Sequence, residues 1–104
     1  TGFGLLGHAL EMARGAGLTA RLRLESLPWL PGVQAYAADG VITGASGRNW
    51  ASYGESIRLG ESVTDTQRAL LTDPQTSGGL LVIGEVPGYP VIGETVAGEG
   101  IQVR

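Results

Sequence analysis

The nine residues from Asp73 to Leu81, DPQTSGGLL, constrain the fold of this 104-residue chain more than any other segment. Pro74 presets one backbone dihedral of a turn, and Asp73 can accept hydrogen bonds from the amides of that turn. The pair Gly78–Gly79 allows φ above zero and a close approach of the main chain to a ligand. The apolar run Leu80–Ile83 then predicts a buried strand. The segment is therefore either a tight turn without a ligand or one that presents amides and hydroxyls to a bound group.

A second glycine-rich segment, residues 1–13, predicts a helix. Leu6, Leu10 and Ala13 recur at helical spacing, and Thr1 is a candidate N-cap. Each glycine costs a helix up to about 1 kcal/mol relative to alanine, so the glycines at 2, 4 and 7 need a compensating role. That role is either close packing of a glycine face on a sheet or an anion near the amide-rich helix end.

Taken together, the two segments resemble the C-terminal domain of selenophosphate synthetases (selenide, water dikinases), within the aminoimidazole ribonucleotide (AIR) synthetase-like superfamily. The stretches between them follow the order of that family: LPWLPGV at 27–33, ADGVI at 38–42 and GRN at 47–49. The resemblance covers roughly residues 1 to 82. TGFG at the start occurs in other superfamily members, whereas DPQTSGGLL is more specific to this family.

The resemblance implies a phosphotransferase that makes selenophosphate, AMP and phosphate from ATP, selenide and water, with Mg²⁺ as cofactor. In that family the reactive Cys or selenocysteine, its lysine partner and most metal-binding aspartates belong to an N-terminal ATP-binding domain, which also forms the homodimer. The present chain begins inside a motif and without methionine, so we expect a fragment: one AIR synthase-related C-terminal domain over residues 1–104, inactive alone.

The same resemblance implies which residues line the ATP/phosphate cleft, with no catalytic and no metal-binding residue among them. They are the backbone and hydroxyl donors of the two glycine-rich segments and one pair between them: Thr1, Gly2, Phe3, Gly4, Arg48, Asn49, Thr76, Ser77, Gly78 and Gly79.

Composition excludes several kinds of chemistry. All seven basic residues are arginine, so a Walker-type phosphate loop or a Schiff base cannot be built from this chain. The absence of cysteine excludes disulfides and thiolate sites, and a single histidine leaves no zinc set. Scattered arginines and a net charge of −3 do not favour nucleic-acid binding. Without a signal peptide or an apolar run near 18 residues, we expect a cytoplasmic protein that does not bind membranes.

Several single residues leave alternatives open. His8 either orients a phosphate or is a packed structural histidine. Asp73 either helps hold a metal through water or only forms the turn. Arg48 and Asn49 are predicted in a loop, where they reach a phosphate or a neighbouring domain, or are solvated.

The periodicity of the remaining chain predicts an α/β (α+β) fold, a mixed sheet with helices packed on one face. Alternation in Leu18–Glu25 predicts a half-buried strand with Thr19 on its polar side. The other predicted elements are a helix from Pro31 to about Asp39, an extended piece at 41–43, an irregular region of loop and short helix at 44–60, a helix capped by Thr64 or Asp65 through Leu71, and a hairpin of strands 91–96 and 101–103.

The chain departs from the family pattern at Gly84–Pro90. A helix precedes the closing strands in the family, but these residues are too few and too rich in proline and glycine to form one. Either the helix is deleted or a disordered segment is absent from the sequence, and we expect a less well-packed tail.

Two other functions are compatible with the sequence. One is a non-catalytic interaction or scaffold domain, whose low charge and glycine-rich face serve packing against another domain. The other is the C-terminal domain of a different AIR synthase-like ATP-dependent enzyme, such as a thiamine-phosphate kinase or a hydrogenase-maturation homologue.

Overall fold

The computed structural model describes residues 1–104 and contains a four-stranded mixed sheet with helices packed on one face, which confirms the predicted α+β class. The helices are α1 (Gly4–Ala16), α2 (Val33–Ala38), α3 (Gly44–Tyr53) and α4 (Asp65–Leu71); the strands are β1 (Leu18–Leu22), β2 (Ile57–Leu59), β3 (Gly93–Ala97) and β4 (Ile101–Val103); single 3₁₀ turns lie at Leu24–Ser26 and Gly54–Ser56.

The sheet has the order β2-β4-β1-β3, in which β4 is parallel to β1 and β2, and β3 is antiparallel to β1. The predicted hairpin of the last two strands is therefore wrong, because β1 lies between them. Their connection, Gly98–Gly100, crosses the start of β1, where the Thr19 hydroxyl donates to the carbonyl of Glu99 at 2.9 Å. This crossing buries Thr19, which the alternation placed on the polar side of the strand.

Helix α1 supplies the largest share of the core. Its apolar stripe, which includes Leu6 and Leu10, packs over β1 and β4, and Leu6 is fully buried. The sequence predicts a stop for this helix at Gly15 and Gly17, and the helix ends at Gly17, whose left-handed φ of 67° lets its amide bond back to the last turn. Thr1 is not the predicted N-cap, because the helix begins at Gly4 and Phe3 occupies the N-cap position without a side-chain cap.

Helix α4 begins as its sequence predicts. Thr64 accepts from the amide of Gln67, and the Gln67 side chain accepts from the amide of Thr64, which forms a capping box. Leu71 at the end of the helix is fully buried, so this short element is held at both ends. No helix of the chain has the length and apolar character needed to cross a membrane.

Helix α3 lies in the region that was predicted as loop and short helix, and it is longer and more regular than expected, with ten residues. Its glycine and serine residues have low helix propensity, which hides the helical period. Tertiary contacts stabilise it instead: Trp50 and Tyr53 pack against the core, and the buried Ser46 hydroxyl donates to the Ala69 carbonyl at 2.9 Å. The neighbouring helix also needs correction, since α2 begins at Val33 rather than at Pro31, while residues 41–43, predicted as an extended piece, join no sheet.

The predicted strand from Leu80 to Ile83 is absent. Leu80 is 94% exposed, and only Leu81 of this run packs against the core. An apolar strand of this kind needs a covering layer on each face. The residues after Ile83 form no helix that could supply one, so the apolar run stays outside the sheet. This agrees with the expected poor packing of the tail.

Candidate functional site

The two glycine-rich segments meet beside the start of α1, and Asn49 links the first of them to Thr72, the residue that precedes the second. Its side-chain NH₂ group donates to the carbonyl of Gly2 at 2.7 Å and to the carbonyl of Thr72 at 2.9 Å. The amino group of Thr1 lies 3.4 Å from the carbonyl oxygen of Gln75. The beginning of the chain therefore runs alongside the turn that follows α4.

Close packing explains two of the three glycines in the first segment. Gly4 has a φ of 76°, and a Cβ on it would lie 2.7 Å from the carbonyl carbon of Thr72. A Cβ on Gly7 would lie 2.8 Å from Cβ of Phe3 and 3.0 Å from the ring of Tyr53. Gly2 has open space around it, so it is the glycine of this segment that a ligand can approach.

Asp73 builds the turn through side chains rather than through the predicted turn amides. One carboxylate oxygen accepts from the Thr43 hydroxyl at 3.3 Å, and the other accepts from the Gln75 side-chain amide at 2.7 Å. No group of three or more His, Cys, Asp or Glu side chains gathers in the chain. These two hydrogen bonds give Asp73 a structural role in the turn.

Residues 76–79 present a row of free donors. All four are exposed, and none of their amides donates to a protein acceptor. The hydroxyls of Thr76 and Ser77 have no hydrogen-bond partner, and Gly78 folds so tightly on Gln75 that a Cβ would lie 2.9 Å from Cβ of Gln75. Exposed amides and hydroxyls of this kind suit the oxygens of a phosphate.

Arg48 and Asn49 lie on α3 rather than in the predicted loop, and only Asn49 reaches the two segments. Arg48 is exposed and forms no ion pair or hydrogen bond. The structure thus brings Asn49 together with residues 1–4 and 72–75. Arg48, the preceding residue, has no hydrogen-bond or ion-pair partner.

Tyr53 is a contributor that the sequence interpretation missed. Its hydroxyl donates to the carbonyl of Phe3, and its ring packs against Gly7. Burial raises the pKa of the Tyr53 phenol, while a hydrogen bond with the backbone of Gly7 acts in the opposite direction. A helical interpretation of 44–53 would have found this residue, because Asn49 and Tyr53 are four apart and share one helix face.

His8 belongs to the same end of the molecule but has local partners. Its Nε2 is hydrogen-bonded to the Thr1 hydroxyl, its ring centroid is 6.0 Å from that of Phe3, and Nδ1 is 3.9 Å from the Glu11 carboxylate. These contacts support the structural alternative for His8.

A cavity of about 320 Å³ opens between α1 and α3, lined in part by Phe3 and Tyr53.

Comparison with known proteins places the sequence in one family. No family model matches the chain. A selenide, water dikinase from Burkholderia pseudomallei (strain K96243) is 72% identical over 82 residues, which cover 79% of this chain and 23% of that protein. The selenide, water dikinase of Paraburkholderia xenovorans (strain LB400) is 57% identical over 115 residues, covering 96% of this chain and 32% of that protein.

A third relative, the selenide, water dikinase of Dechloromonas aromatica (strain RCB), is 49% identical over 119 residues, covering 99% of this chain and 34% of that protein. The chain spans about a quarter to a third of the length of these relatives. Since 119 aligned positions exceed the 104 residues of the chain, at least 15 positions of this alignment have no counterpart here. The chain belongs to the selenophosphate synthetase family and corresponds to the C-terminal region of its members.

Proposed function

We propose that this chain lines the phosphate side of the ATP cleft in a cytoplasmic enzyme that makes selenophosphate, AMP and phosphate from ATP, selenide and water. The observation that carries the proposal is the row of unpaired amides at 76–79, in the segment that follows Thr72, which Asn49 links to Gly2 just before α1. Phosphoryl transfer depends mainly on positioning and on neutralising charge, so such a wall contributes without a catalytic side chain.

In this proposal each donor has a separate task. The amides from Thr76 to Gly79 and the hydroxyls of Thr76 and Ser77 donate to phosphate oxygens, and the open side of Gly2 lets the nucleotide approach the main chain. Gly4 and Asn49 hold the two segments in place, and Phe3 anchors the first of them through Tyr53. Arg48 adds positive charge if the cleft closes over α3.

The residues of this chain do not fit a magnesium site, because no three potential ligands gather. Mg²⁺ prefers several oxygen ligands in octahedral geometry, which carboxylates of another domain have to supply. The proposed partners are therefore the N-terminal domain of the enzyme and, through it, a second copy in a homodimer. The chain alone then lacks activity, since it also carries no cysteine and no lysine.

Complementation in trans tests the proposal. The chain is mixed with the part of the Burkholderia pseudomallei relative that precedes the matched region, and AMP formed from ATP in the presence of selenide and Mg²⁺ is measured. We expect AMP only when both parts are present. Replacing both Thr76 and Ser77 with alanine should lower this rate at least about tenfold, whereas Thr66→Ala on α4 should leave it unchanged. Equal rates for the two variants would contradict the proposal.

One observation favours the scaffold alternative. Leu80 and Tyr89 are 94% and 74% exposed, and such apolar exposure is typical of surfaces that contact another protein. Stable association with the N-terminal part, without AMP formation or ATP binding, would support a scaffold. Activity with another acceptor instead of selenide would support a different AIR synthase-like enzyme.

A further inference from the structure

We propose that a cavity at the end of β1 binds a small phosphate-bearing molecule through Arg23 and Arg104. The cavity measures about 640 Å³ and has Arg21, Arg23 and Arg104 in its wall. None of the residues proposed for the ATP cleft lines it, so this inference does not depend on the proposed function.

The strand register places arginines together on the sheet face opposite to the one that α1 covers. Arg21 of β1 pairs with Gln102 of β4, which pairs with Arg58 of β2, and paired residues point to the same face. Arg23 and Arg104 follow two positions later along their chains and continue this face. Four of the seven arginines thus lie on one surface of a chain whose net charge is −3.

The side chain of Arg21, at one side of the cavity, is held in place by two protein partners. Its Nε donates to the Gln102 side-chain oxygen at 3.1 Å, and its Nη1 lies 3.3 Å from the Glu94 carboxylate. Glu94 is therefore neutralised by Arg21. The other carboxylate in the wall, Glu25, is exposed and has no ion pair.

Arg23 and Arg104 form no ion pair. Arg23 donates only to neutral oxygens, the Ser26 hydroxyl at 3.4 Å and the Val91 carbonyl at 3.3 Å, and Arg104 has no side-chain hydrogen bond. Neither has a carboxylate within 4.0 Å. Backbone hydrogen bonds fix their Cα positions, since the amide of Arg104 donates to Leu22 at 2.9 Å and that of Arg23 donates to Ile92 at 2.8 Å.

The chemistry of this wall selects the ligand class. Guanidinium groups donate through a planar fork that matches the spacing of phosphate oxygens, which a spherical halide cannot use. The volume lies within the range of about 300–1,000 Å³ that is typical of small-molecule sites. The indole of Trp29 and the amides of Gln34 and Gln67 line the remainder, which leaves room for a substituent on the phosphate.

Titration of the 104-residue chain tests the inference. Inorganic phosphate, pyrophosphate and AMP are added separately at constant ionic strength, and backbone amide chemical shifts are followed by NMR. We expect saturable binding of at least one of them, with the largest shifts at Arg23 and Arg104. Arg23→Gln and Arg104→Gln should each weaken binding about tenfold. Arg58→Gln removes the same charge from the same face outside the cavity and should change affinity less than about twofold.

The outcomes separate the alternatives. Tighter binding of pyrophosphate or AMP than of phosphate identifies a larger ligand, and equal affinities identify free phosphate. Equal weakening by Arg58→Gln and Arg23→Gln would reduce the effect to overall charge and overturn the inference, as would the absence of saturation by all three compounds. If Arg23→Gln does not fold, Arg104→Gln decides. Ser77→Ala, in the proposed ATP cleft, should not alter binding here, so the two proposals fail separately.

Discussion

The side-chain amide of Asn49 donates to the backbone carbonyl of Thr72 at 2.9 Å and fixes the end of α4 against α3. The same NH₂ group donates to the carbonyl of Gly2 at 2.7 Å. One side chain therefore links three parts of the chain that are distant in sequence. Because both acceptors belong to the backbone, this link sets the position of the candidate cleft whatever side chains stand at residues 2 and 72.

Replacing Asn49 with alanine should lower the free energy of unfolding by about 1–3 kcal/mol, since two carbonyls lose their donor and Thr72 is buried. Urea unfolding followed by circular dichroism measures the change. Gln34→Ala removes an exposed amide that makes no hydrogen bond and should change stability by less than about 0.5 kcal/mol. Equal effects of the two substitutions would show that the Asn49 link does not stabilise the fold.

Two glycines of α1 should respond oppositely to alanine. Gly4→Ala places a Cβ 2.7 Å from the backbone of Thr72 at a φ of 76°, so we expect a loss of more than about 2 kcal/mol. Gly15→Ala meets nothing within 4 Å in the same helix and should gain about 0.5–1 kcal/mol from higher helix propensity. Thermal unfolding of both variants measures this difference. A tolerated Gly4→Ala would argue that α1 can move away from Thr72.

Local chemistry was sufficient to predict the ends of several elements. The Thr64 cap and the Gly17 stop depend on residues within one helical turn, so the sequence pattern identifies them directly. The insertion of β1 between β3 and β4 depends on contacts between residues far apart in sequence, such as Thr19 and Glu99, which are 80 residues apart. A short glycine-rich link between two strands predicts a hairpin, and nothing local reveals a third strand between them.

In the candidate site, too, some features could be predicted from the sequence and others depend on long-range contacts. The meeting of the two glycine-rich segments was expected, and the contacts of Gly4 and Asn49 bring residues 1–4 beside residues 72–75. The means of joining them could not be predicted, because glycine and serine conceal the helix that places Asn49 and Tyr53 on one face. The prediction of a strand at Leu80–Ile83 was wrong for another reason. Its apolar pattern is clear, but burial requires a covering element that this chain does not form.

The connection across β1 should be sensitive to a methyl group at Gly100. Its φ is 77°, and a Cβ would lie 2.6 Å from the carbonyl oxygen of Ser56. Gly88 has a similar φ of 84° with nothing within 4 Å, so Gly88→Ala costs only the backbone strain of about 1–2 kcal/mol. We expect Gly100→Ala to cost at least about 1 kcal/mol more than Gly88→Ala in urea unfolding. Similar losses would indicate that Ser56 moves aside freely.

Tyr53 should make stability depend on alkaline pH. Burial raises the pKa of its phenol above the ordinary value of 10.0, against a smaller lowering by the backbone of Gly7. A group with a higher pKa in the folded state stabilises the fold below its unfolded pKa, and this contribution is lost as pH rises through the folded-state pKa. Above about pH 10, the free energy of unfolding should therefore fall more steeply for the wild type than for Tyr53→Phe. Tyr89→Phe, at an exposed position, should follow the wild type. Parallel pH curves for the wild type and Tyr53→Phe, measured by urea unfolding at fixed ionic strength, would contradict a role for the buried phenol.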